Sequence, residues 1–87
     1  MSKKGKLLLR LLSIPKDFSW TELVTLLAYL GFEETKKGKT GGSRRKFIDG
    51  QKRVIMLHKP HPGNIVKEYA VRQVIEYLID NGFIDNE

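Results

Sequence analysis

Three consecutive cations, Arg44-Arg45-Lys46, and two histidines, His58 and His61, are the side chains of this 87-residue chain best suited to chemistry at a phosphate. A guanidinium grips two phosphate oxygens at once, and imidazole is the side chain that ordinarily exchanges protons near neutrality. Cleavage of RNA by its own 2′-hydroxyl needs both abilities. One group must accept the hydroxyl proton, another must protonate the departing 5′-oxygen, and positive charge must stabilise the phosphoryl oxygens. Arg44 suits only the last task, because a guanidinium stays protonated and has no acceptor. His58 and His61 lie in Leu57-His58-Lys59-Pro60-His61-Pro62-Gly63-Asn64, where two prolines exclude helix. Three residues of extended chain span at most ~10 Å, so both imidazoles can flank one phosphate. They are the candidate catalytic groups; loop histidines bonded to backbone are the structural alternative. Two histidines with no cysteine and no fixed third ligand make a poor zinc site.

The charge is concentrated. Residues 36–53 hold eight basic side chains, Lys36, Lys37, Lys39, Arg44, Arg45, Lys46, Lys52 and Arg53, against one acid, Asp49, and the other residues carry eight basic and nine acidic groups. The whole formal charge of +6 therefore belongs to one segment. Such a focused field attracts polyanions, nucleic acid above all, and Ser43 beside the arginines adds a hydroxyl for a phosphate. These residues, with Ser43, are the candidate RNA-binding set. The alternative is a solvated hairpin whose lysines protect a strand edge from aggregation. Gly38, Gly41 and Gly42 lack the Lys-Ser/Thr ending of a nucleotide-binding loop, so no nucleotide cofactor is expected.

The elements that must position these groups are legible from periodicity. Leu7, Leu8, Leu11 and Leu12 recur at helical spacing before Pro15. Ser19-Trp20-Thr21-Glu22 reads as a capping box, with Phe18 and Leu23 as its hydrophobic staple. Leu23, Leu26, Leu27 and Leu30 then form one buried stripe, closed by Gly31 and Phe32. Val71, Val74, Ile75 and Leu78 repeat that pattern in a helix predicted from Tyr69 to Asn81, closed by Gly82 and Phe83. Between the helices the period changes to two. Strands are predicted over 32–36, around Arg44 to Ile48, and over 54–57, with Asp49-Gly50 as a two-residue hairpin turn. The segment 37–42 predicts a mobile cationic loop. Trp20, in the first turn of its helix, is placed in the core rather than in a base stack.

The expected fold class is α+β, in the order αβββα: a three-stranded antiparallel meander with two helices on one face, preceded by an N-terminal accessory helix. The expected division is residues 1–17 as the accessory segment and 18–87 as the domain. A chain of this length forms one small core and no large enclosed cavity. It has no cysteine, which fits a reducing compartment. The longest apolar stretch, Leu7 to Ile14, is short of the ~20 residues of a membrane span. A cytoplasmic location and no membrane partner are expected.

Several of these residues together resemble a known family. Leu30-Gly31-Phe32, a basic loop, Gly42-Ser43 opening a strand, His61 in a small-residue turn, an aliphatic helix and a terminal Gly-Phe-Ile are similar to the HicA toxins of bacterial toxin–antitoxin systems, over about residues 19–85. The resemblance implies a fold like a double-stranded-RNA-binding domain, ribonuclease activity on mRNA without a cofactor, and neutralisation by a HicB-type antitoxin. It also implies a catalytic histidine after the Gly-Ser pair, where this chain has Arg44; His61 matches a second histidine common at its position. Three readings follow: an mRNA-cleaving toxin, an RNA-binding module that does not cut, and a basic face that chiefly receives an acidic antitoxin.

Overall fold

The Ser19 side chain accepts a hydrogen bond from the Glu22 amide (3.1 Å), and the Glu22 carboxylate accepts one from the Ser19 amide (2.9 Å), closing the capping box. In the computed structural model, which describes residues 3–35, 44–60 and 63–84, this box starts α2, Trp20–Tyr29. Ahead of it lies α1, Lys3–Leu12, and after it come β1 Glu33–Glu34, β2 Arg44–Ile48, β3 Val54–His58 and α3 Glu68–Asp80. The strands form one antiparallel sheet in the order β1-β2-β3. The architecture is the predicted αβββα with a helix in front, the arrangement of a double-stranded-RNA-binding domain.

Both central helices end in the same way. Gly31 and Gly82 adopt left-handed backbone, φ 98° and 80°, and the amides of Phe32 and Phe83 reach back to the carbonyls of Leu27 and Leu78, each at 2.8 Å. The turned-back rings meet at the edge of the core, their centroids 5.5 Å apart. This use of Phe32 explains why β1 starts one residue later than predicted: the residue expected to open the strand finishes the helix instead, and the predicted end at Lys36 lies outside the described residues. The Thr35 amide still donates to the Lys46 carbonyl (2.8 Å) beyond the strand's formal end.

The predicted two-residue turn at Asp49-Gly50 is not formed. Ile48 pairs with Val54, so the connection is longer by three residues, and the left-handed position falls on Lys52 (φ 65°) rather than on Gly50. Asp49 causes this. Its carboxylate accepts from the amides of Gln51 (3.0 Å) and Arg53 (2.7 Å), and its carbonyl accepts from Lys52 (3.0 Å). Three acceptances by one residue outweigh the local preference of an Asp-Gly pair.

The core lies between the helices and one face of the sheet. Phe47, Ile55 and Leu57 point into it from the strands and join Leu23, Leu26, Leu27, Val71, Val74 and Leu78 from α2 and α3. Leu11 of α1 is fully buried there too, a burial worth roughly 1.5–3 kcal/mol. Arg10 adds polar bonds, donating to Glu22 (2.7 Å) and Asp17 (3.1 Å), so α1 is fastened to the start of α2. Among the described residues no helix is long and apolar enough to cross a membrane.

Candidate nucleic-acid interface

Alternation along β2 divides the cationic triplet. Phe47 is buried against the helices, so Arg45, two residues before it, leaves the same face, while Arg44 and Lys46 leave the other. Across the ladder, Arg44 is paired with His58, Lys46 with Met56, and Ile48 with Val54. Directly opposed residues of an antiparallel pair share a face, so Arg44, Lys46, Met56 and His58 stand together on the side turned away from the helices. All four are exposed. Glu33, opposite Ile48, is the acid at the far edge of this surface.

Arg45 and Arg53 are held elsewhere. Arg45 Nε lies 3.3 Å from Glu34 Oε2, on the helix side of β2. Arg53 donates from Nε to Asp49 Oδ2 (2.7 Å), lies over the Phe83 ring at 4.4 Å, and donates to the Asn81 carbonyl (3.3 Å). Burial pushes the Asp49 carboxyl up, but the hydrogen bonds from Arg53 and Gln51 outweigh it and hold it below its ordinary value. Lys52 is exposed in the hairpin connection. Lys36, Lys37, Lys39, Ser43 and His61, and the predicted loop at 37–42, lie outside the described residues. Trp20 is 7% exposed and its ring sits 5.9 Å from that of Phe47, in the core as predicted.

Beyond the candidates read from sequence, the structure brings a second group to His58. A cleft of about 450 Å³ adjoins it, lined by Lys59, Ile65, Lys67 and Tyr69 among others. Its floor is tied down by two backbone bonds, Trp20 N–H to Asn64 O and Val66 N–H to Phe18 O, both 2.7 Å, around a bridge between Ser19 and Ile65. Val66 therefore enters the core while Ile65, 45% exposed, faces out. Tyr69 falls off the Val71-Val74-Leu78 stripe and is 59% exposed; its helical phase was the signal available in the sequence. Among the described residues no three His, Cys, Asp or Glu side chains come together as a metal site.

The sheet, the two helices and the basic β2 strand fall within one family pattern: the model of the HicA toxin of bacterial toxin–antitoxin systems matches residues 20–79. The chain belongs to the HicA toxin family. No curated protein and no solved structure matches it. As a HicA-family toxin it is one half of a toxin–antitoxin pair, and membership implies a cognate antitoxin. The matched region runs from the first residue of α2 almost to the end of α3, and leaves α1 outside it, although α1 supplies Leu11 to the HicA core.

Proposed function

We propose that this HicA-family toxin acts on RNA in the cytoplasm, cleaving mRNA, and that a HicB-type antitoxin neutralises it. The observation that carries the reading is the register that sets His58 directly opposite Arg44 on the open face. A guanidinium at the position after Gly42-Ser43 cannot accept a proton, but the imidazole on the neighbouring strand can. Arg44 and Lys46 then hold the phosphate, Lys36, Lys37, Lys39 and Lys52 add positive charge for the rest of the RNA chain, and Ser43 adds a hydroxyl.

In the proposed reaction the 2′-oxygen bonds to phosphorus while the bond to the 5′-oxygen breaks. The 2′-hydroxyl proton passes to His58. The departing 5′-oxygen takes a proton from His61 or from water, leaving a 2′,3′-cyclic phosphate and a 5′-hydroxyl. Arg44 stabilises the negative charge that grows on the phosphoryl oxygens.

The test is incubation of the purified chain with a single-stranded transcript in the presence of a chelator, beside induction in cells with and without the antitoxin. Cleavage is expected to fall about 10²- to 10⁴-fold in His58→Ala. Intact RNA at excess protein, together with unaffected growth on induction, would overturn the reading. Arg44 at the expected histidine position favours a second reading, RNA binding without cleavage, which predicts salt-sensitive affinity and intact RNA in the same assay.

A further inference from the structure

The cleft that His58 lines extends away from Arg44 past side chains the proton chemistry does not use. Its lining combines the exposed side chains of Tyr69 and Ile65 with those of Lys59 and Lys67. An apolar slot flanked by ammonium groups matches a nucleotide, whose base is flat and stackable and whose phosphate is anionic. The volume, about 450 Å³, falls within the range of small-ligand sites. Glu68, between Lys67 and Tyr69 in the chain, is engaged by Arg72 at 2.9 and 3.0 Å, so its charge is directed along the helix. The Ser19–Ile65 bridge holds the wall in place before any ligand arrives, which lowers the ordering cost of binding.

We propose that this cleft is a base-binding subsite that accepts one unpaired nucleobase next to the phosphate held at Arg44 and His58. The proposal rests on the RNA reading above and deepens it, because His58 belongs both to the Arg44 pair and to the cleft lining. Tyr69 stacks on the base, Ile65 adds apolar contact, and Lys59 and Lys67 hold the adjoining phosphate. A base can enter only when it is not stacked in a duplex. The subsite therefore makes the toxin prefer single-stranded RNA, although its fold is that of a duplex-binding domain.

The experiment is fluorescence anisotropy of the full chain with a short labelled RNA, single-stranded and annealed to its complement, across a salt series. Tyr69→Ala is expected to weaken single-strand binding roughly 5- to 150-fold without changing the salt slope or duplex binding, and Tyr69→Phe to restore it. Replacing Lys59 and Lys67 by Gln should lower the single-strand slope by about 1.4. If Arg44→Gln weakens binding while Tyr69→Ala leaves single-strand affinity unchanged, or lowers both affinities alike, the subsite is wrong and the RNA reading stands. If the wild-type chain binds neither RNA, both fall. Tyr69 is exposed, so the variants are expected to melt with the wild type, and a lowered melting point paired with Tyr69→Phe rescue still identifies the ring.

Discussion

Arg45 Nε and Glu34 Oε2 are 3.3 Å apart on the helix side of β2, behind the face that carries Arg44. Two arginines adjacent in sequence thus have different work: one is tied to a neighbouring strand, the other faces outward. Arg44→Gln and Lys46→Gln should each reduce the slope of log affinity against log salt by about 0.7 for single-stranded RNA. Arg45→Gln should leave that slope unchanged and cost no more than about 1 kcal/mol of stability. Anisotropy titrations over a salt range decide the matter, and equal slope losses for all three would return Arg45 to the RNA face.

Acid should loosen the domain through Glu22. The hydrogen bond from Arg10 holds its carboxyl at about 2, against an ordinary 4.5, with burial opposing and Ser19 assisting. A carboxyl whose folded value is depressed contributes its full stability above the unfolded value and loses it as pH falls toward the folded one. Urea unfolding should therefore show stability draining between about pH 4.5 and pH 2. Glu22→Gln should be less stable at neutrality and should lose less across that window; Asp49, depressed in the same direction, supplies part of what remains. Parallel pH profiles for wild type and variant would remove Glu22 from the account.

The hairpin makes a third expectation that runs against its sequence. An Asp-Gly pair suggests that Gly50 is the indispensable residue, but Gly50 has ordinary backbone and open space where a Cβ would sit. The left-handed residue is Lys52, where an L side chain is strained by roughly 1–2 kcal/mol. Lys52→Gly is expected to raise stability by about 0.5–1 kcal/mol, and Gly50→Ala to leave it level or raise it slightly. Thermal melts of the two variants test the assignment; a substantial loss in Gly50→Ala would refute it.

The contrast between Gly31 and Gly50 explains what sequence reasoning reached. Helix ends are local: Gly31-Phe32 and Gly82-Phe83 follow apolar stripes whose period is unmistakable, and a residue after each glycine folds back onto the preceding turn. The hairpin depended on a side chain, Asp49, accepting from two amides at once, which no dipeptide preference encodes. The split of Arg44 from Arg45 was legible in the alternation with Phe47, although pooling the cations into one binding set made no use of it. The cleft was hidden for a different reason. Its wall depends on Ile65 meeting Ser19, two residues far apart in the chain, and only the exposure of Tyr69 could be anticipated from helical phase.

The packing of α1 on both α2 and α3 bears on the order of synthesis. Leu11 is made well before Val71, Val74 and Leu78, which share its core and belong to α3. A ribosome translating this chain must carry α1 and the sheet without their lid until α3 emerges. The outward face of the sheet thus gains its full backing only as α3 is completed, which leaves the nascent toxin an interval during synthesis in which that surface is unfinished.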